Sequence, residues 1–192
     1  VYASARDGAM VPYQGGASLW VSALAEEYGT MDEVRYCPNA AYQPGDSGRG
    51  GANKAWMWGG TGEGGSYGIN GFFYADQGGA GYCSSTLPEA FFGSLEDGTI
   101  KTPIFADAVW IDGWPSERDR APRSYIWPQA GECGTYMSRF CIDRHDFAVN
   151  VAFADSHVEK VDLPMLWALQ WSMTYDLTRF PNGNPRVVRM GN

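Results

Sequence analysis

His145 and His157 are the chain's two histidines, the side chains whose ordinary pKa lies nearest neutrality. Asp143 and Asp146 flank the first, and Asp155 stands beside the second. Imidazole and carboxylate together could hold a transition metal and activate water, so a metal-dependent hydrolase centred on His145, Asp155 and His157 is one chemistry to weigh. The strand pattern argues against a shared ion. Phe147, Val149, Val151 and Phe153 alternate with Ala148, Asn150, Ala152 and Ala154, and a strand-like run resumes at His157 after Asp155-Ser156. This predicts a β-hairpin with a two-residue turn pairing Ala154 with His157. In that register His145 lies on the face of Phe147 and Val149, and His157 on the opposite face. The imidazoles then diverge, and the expected role of His145 is structural, hydrogen-bonded to loop backbone.

Other chemistry is sparse. No nucleophile elbow, His-Glu-x-x-His helix, Walker loop or dinucleotide fingerprint occurs, so no enzyme is expected. Asp107 and Asp112 are calcium candidates, because hard cations accept irregular oxygen shells, although nothing matches an EF-hand loop. Otherwise no cofactor or metal is expected. Arg118, Arg120 and Arg123 alternate with Glu117 and Asp119 in a Pro-punctuated segment, the pattern of a solvated loop. The four cysteines, Cys37, Cys83, Cys133 and Cys141, are even in number and form no Cys-x-x-Cys pair, so disulfides are expected rather than zinc. Cys133 and Cys141 are close in sequence and are expected to pair, leaving Cys37 with Cys83, one of three connectivities the sequence permits.

The elements that must position these residues are short. Leu19, Trp20, Leu24 and Tyr28 recur at helical spacing, with Ser18 as N-cap and Gly29 as terminator. Val34 to Cys37 reads as a strand stopped by Pro38. Fourteen of the twenty-five glycines fall between Pro44 and Cys83, interleaved with Trp56, Trp58, Tyr67, Phe72, Phe73, Tyr74 and Tyr82, which predicts ordered loop with short strands. Thr86 to Glu89 reads as a capping box opening a brief helix through Phe91 and Phe92, Ile104 to Ile111 as a strand. Asp162 is placed to cap a closing helix whose Met165, Leu166, Leu169 and Trp171 lie across a sheet. The tail, residues 179–192, is irregular. The expected class is α+β: a small antiparallel β-sheet, short helices and long Gly- and aromatic-rich loops.

Composition narrows the setting. Hydrophobic residues make up 44% of the chain, with eight Trp, eleven Tyr and nine Phe, enough apolar surface for one folded domain over residues 1–192. Fourteen basic against twenty-two acidic residues leave a formal charge of -8, so composition supplies no phosphate-neutralising surface and no nucleic-acid partner is expected. No run approaches the roughly 18 apolar residues of a membrane span, and the first ten residues lack a signal-peptide pattern.

The order of segments carries more than any one of them. Tyr2-Ala3-Ser4 with Asp7-Gly8, Leu19-Trp20 and Tyr28, Val34-Arg35-Tyr36-Cys37-Pro38, Ser66-Tyr67-Gly68-Ile69-Asn70-Gly71 and Pro103-Ile104-Phe105-Ala106-Asp107-Ala108 come first. Arg144-His145, Asn150 to Glu159 and Leu166-Trp167 complete the series. Over residues 1–175 this resembles the globular head of the bacterial type IV pilin-like proteins, or pseudopilins, with a His-x9-Asp-Gly motif at His145, Asp155 and Ser156. Ser156 departs from the motif's glycine. If the turn needs a positive φ, a serine there carries a steric cost.

The resemblance implies a non-enzymatic structural subunit, made as a prepilin whose N-terminal hydrophobic helix is absent from this chain. The helix would anchor it in the membrane before assembly and then pack in a filament core. Its implied partners are copies of itself, other pilin-like subunits and the secretion or pilus assembly machinery. The implied location is extracytoplasmic, at the cell surface or in the periplasm, where disulfides form. Trp56, Trp58 and Trp110 are candidates for contact or core, with core favoured. An alternative is an extracellular binding module that holds a glycan or an exported substrate on exposed aromatics.

Overall fold

The computed structural model describes residues 2–13, 20–29, 34–59, 62–129 and 131–189. The first helical pattern becomes two single turns, α1 (Trp20–Ala23) and α2 (Ala25–Tyr28), broken where Leu24 takes φ -94° and ψ -4°. Gly29 ends the second at φ 72°, the positive φ for which glycine suits the position. Ser18 and Leu19, expected to open this helix, lie outside the described residues, as does the end of the tail from Met190.

Strands dominate the chain beyond α2. β1 (Trp56–Met57) and β2 (Gly64–Gly65) form an antiparallel ribbon. β3 (Tyr67–Asn70), β4 (Pro103–Asp107), β5 (Asp112–Gly113), β6 (Ala148–Phe153) and β7 (Val158–Asp162) make one sheet in the order β5-β3-β4-β6-β7. Only the β3–β5 pairing is parallel. The architecture is therefore mixed α and β with strands predominant, and its small helices are single turns or 3-10 turns.

The sheet separates two apolar layers, as the period-2 alternation requires. On one side Val149, Val151, Phe153 and Val161 pack with Phe140, Leu163, Leu166, Trp167 and Trp171, the Phe140 and Trp171 rings 4.8 Å apart. Ile69 and Phe105 meet Trp20, Trp56, Phe72 and Phe91 on the other, with the Trp20 ring 4.9 Å from Phe105. Trp56 is wholly buried with the tilted Trp110 ring beside it, and Trp58 meets Trp110 in turn, so the core role holds for Trp56. Asn70 couples the layers: its amide donates to the carbonyls of Pro103 and Trp171 while its oxygen accepts from Phe72 N–H.

Several expected elements form differently. Residues 34–37 are not a strand; the Arg35 carbonyl takes a single backbone hydrogen bond from Ser66, and Pro38 opens a 3-10 turn, Pro38–Ala40. Thr86 caps no helix, because its hydroxyl is engaged with the Cys83 backbone; the capping box is Ser94 with Asp97, on the 3-10 turn Leu95–Asp97. The closing helix is a 3-10 turn, Leu163–Ala168, without a side-chain cap from Asp162, and Trp167 takes the inward position expected of Met165. The β6–β7 register pairs Ala152 with Val158, so the turn holds three residues rather than two, and Phe153 stands opposite His157. Ser156 adopts φ 74° there, a left-handed conformation costing a non-glycine residue about 1 kcal/mol.

The charged loop is only partly solvated. Arg118, Arg120 and Arg123 are exposed, but Asp119 is buried, accepting from the backbone N–H of Met137 at 2.7 Å and of Ser116 at 3.2 Å. Burial outweighs those bonds and pushes its carboxyl up to about 7. Between its ordinary value and 7 the native chain holds a proton that the unfolded chain has released. The stabilisation is therefore present at low pH and lost as pH rises through that window. Buried Asp112 shifts in the same direction, also by desolvation. Exposed Asp146, Asp155 and Asp176 are held below their ordinary value and titrate beneath the window. Urea denaturation is expected to show stability rising by about 1–2 kcal/mol from pH 7.5 to 5.5, a slope that Asp119→Asn flattens. An unchanged slope in the variant would remove Asp119 as its source.

Candidate functional site

Several of the scattered segments meet at the C-terminal end of β4. Asp107 ends that strand, Arg144 and His145 precede β6, and Cys37 enters from the loop before the Pro38 turn. Arg144 and Asp107 are completely buried and paired at 3.0 Å. The guanidinium has five N–H groups, and five acceptors surround it. Nε donates to the Ala52 carbonyl, Nη1 to the Ser66 carbonyl and Asp107 Oδ1, and Nη2 to the carbonyls of Gly51 and Ala108. One side chain thereby ties three chain segments to its own. The other carboxylate oxygen of Asp107 accepts from Asn150 N–H at 2.7 Å.

His145 completes the centre. Its Nε2 lies 3.1 Å from Asp107 Oδ2, which makes Nε2 the nitrogen that donates, while Nδ1 faces the Asn39 amide at 3.4 Å. Asn39 also donates to the Arg144 carbonyl at 3.1 Å. The Asn150 amide lies 3.1 Å from Nε2, and a half-turn of that amide sets its oxygen opposite the Nε2 proton. Cys37 Sγ approaches the same nitrogen at 3.4 Å. A nucleophile and base at that distance suggest thiol catalysis, but burial pushes the Cys37 thiol up, away from the thiolate that such chemistry uses.

Cys37, Asp107 and His145 also present ligand atoms within 4.8 Å of one another. The surroundings fit hydrogen bonding better than a metal. Asp107 is already neutralised by Arg144, a metal on Nε2 would require a proton on Nδ1 facing the Asn39 amide, and a second cation would sit beside a buried guanidinium. The arrangement works as a polar clamp, fully bonded at its guanidinium, that fixes loop backbone to the sheet.

The other expected site residues separate. Asp155 and Ser156 form the β6–β7 turn, at the far end of β6 from His145. His157 pairs with Asp155 and stacks on Phe153, ring centroids 4.3 Å apart. The two histidines diverge, but on the faces opposite to those expected: His145 joins Asn150, and His157 joins Phe153. Positive φ at Asp146 and Phe147 breaks the alternation before β6, and the three-residue turn shifts the register after it. The hydrolase constellation of His145, Asp155 and His157 is thus not assembled.

Asp107 and Asp112 likewise face different arginines. Asp112 pairs with Arg139 at 2.8 Å and accepts from the Tyr74 hydroxyl at 3.0 Å, in a second buried centre. The cysteine pairing is corrected. Cys83 bonds Cys133, whereas Cys37 lies in the clamp and Cys141 is a free thiol in the apolar layer beside Phe140. Eight residues of separation had favoured Cys133 with Cys141, but the 3-10 turn Tyr136–Arg139 between them buries Cys141 and leaves Cys133 at the surface. Sequence reading missed Arg144 as the organiser. The available signal was an arginine directly beside the motif histidine, following the apolar pair Cys141-Ile142.

No family model, curated protein or solved structure matches this chain.

Proposed function

We propose that the chain is the head of a type IV pilin-like protein or pseudopilin, a structural subunit whose work is assembly into a cell-surface or secretion-associated filament. One observation supports this reading: five of the segments on which the resemblance rests converge on one buried clamp, although Asp155 and Ser156 stand outside it. Cys37, Ser66, Asp107, Ala108, Arg144, His145 and Asn150 all belong to those segments, and all take part in the same polar centre. A motif used in this way specifies a fold. The partners are copies of the chain or other pilin-like subunits, met on the outer surface, and the Cys83–Cys133 bond suits an extracytoplasmic location.

The test uses the full-length gene product. The coding sequence before Val1 is expected to encode a hydrophobic helix of about twenty residues, preceded by a glycine and a basic leader. The processed protein is expected in the sheared filament fraction. An ordinary cleaved signal peptide, with product recovered only as free monomer, overturns the proposal.

A further inference from the structure

A groove of about 870 Å³ lies on the surface lined by residues within 120–129 and 132–138, together with Arg49. Arg49, Arg120 and Arg123 line it, with Trp127 and a single carboxylate, Glu132. This is an unusual concentration in a chain of net charge -8. All three arginines are exposed, and among the described residues none of their guanidinium groups makes an ion pair or a side-chain hydrogen bond. Arg49 is poised 5.8 Å from the Trp110 ring centroid. By contrast, Arg139 and Arg144 are committed to buried carboxylates.

Backbone features build this groove. Trp127 is 53% exposed, yet its six-membered ring packs against Gly51, where an added Cβ would come within 2.7 Å of it. The Ser124 hydroxyl accepts from the backbone of Ile126 and Trp127, and the Ile126 carbonyl is held by Ala52 N–H. The ring is therefore a fixed platform. In the wall that carries Glu132, the neighbouring Gly131, at φ 126°, lets the chain pass against the Arg49 guanidinium, with which a Cβ would collide at 2.2 Å. The Cys83–Cys133 bond anchors that wall, and Arg120 N–H is fixed to the Gly134 carbonyl.

We infer that this groove binds an acidic oligosaccharide, a chain of uronate-type sugars. Guanidinium forks match carboxylates in two-point geometry, and a flat, half-exposed indole suits the apolar face of a pyranose ring. Free arginines alone would accept any anion; an indole lining the same groove selects one carried on a ring. A groove of this size admits several sugar units. The inference stands apart from the filament reading, since it rests on different residues.

Isothermal titration of the intact, oxidised protein with oligogalacturonate and with oligomannuronate tests it. A neutral oligosaccharide of equal length and inorganic phosphate are the controls. Saturable binding of at least one uronate oligomer is expected, weakened tenfold or more in Arg120→Ala/Arg123→Ala and about fivefold or more in Trp127→Ala. Both variants change exposed side chains, and matching thermal unfolding confirms that they fold. Binding of neither uronate oligomer overturns the proposal. So does equal affinity for the neutral oligomer, or for phosphate, or binding that Trp127→Ala leaves unchanged.

Discussion

Arg144→Met is expected to abolish the cooperatively folded state, seen as loss of the near-ultraviolet circular dichroism signal and of a urea transition. The substitution leaves Asp107 as a buried charge, and removing one partner of such a pair costs about 3–5 kcal/mol. It also leaves the carbonyls of Ala52 and Ala108 without a donor, at about 1–3 kcal/mol for each that stays dry, while those of Gly51 and Ser66 keep the N–H groups of Lys54 and Ala108. Together these are comparable to the roughly 5–15 kcal/mol by which a whole domain is stable. A second variant separates the two contributions. Arg144→Met/Asp107→Leu removes the stranded charge, and if the ion pair alone mattered it would restore stability, as apolar replacement of buried pairs often does. Because the carbonyls of Ala52 and Ala108 still lack a donor, full rescue is not expected. Arg144→Met unfolding within about 1 kcal/mol of the native protein would end the case for the clamp.

The second large effect belongs to Cys83 and Cys133. Their bond closes a separation of 50 residues, and in the chain-entropy account a loop of that length contributes about 4 kcal/mol by restricting the unfolded state. Cys83→Ser/Cys133→Ser is expected to lose most of that amount in urea denaturation. Cys37→Ala, which leaves the bond in place, is expected to lose much less. Thiol titration in denaturant without reductant is expected to find two free thiols, those of Cys37 and Cys141. Four thiols, or none, would refute the pairing.

The β6–β7 hairpin shows which features were legible and why. Alternation of Phe147, Val149, Val151 and Phe153 located the strand, because one sheet face has to be apolar over a core, and three of these four side chains occupy that core directly. Its ends were not legible. Alternation says nothing about where positive φ at Asp146, Phe147 and Ser156 resets the register, and a one-residue change exchanges the faces of both histidines. Val34 to Cys37 failed for a related reason. The residues have strand propensity, but among the described residues they join no ladder, although Ser66 N–H bonds the Arg35 carbonyl.

Local patterns in the sequence determined the strand-rich hairpin and the predominance of ordered aromatic loops, since periodicity and glycine content are properties of neighbouring residues; the backbone partner expected for the His145 ring is replaced by the side chains of Asp107, Asn39, Asn150 and Cys37. The tertiary structure alone decided that Cys83 meets Cys133, that Arg144 satisfies carbonyls from three distant segments, and that three exposed arginines share one groove with Trp127. Each is a meeting of residues far apart along the chain. Such a meeting is fixed by which apolar faces pack together and which buried polar groups must then find partners, and those conditions are set only once the whole chain has closed around its sheet.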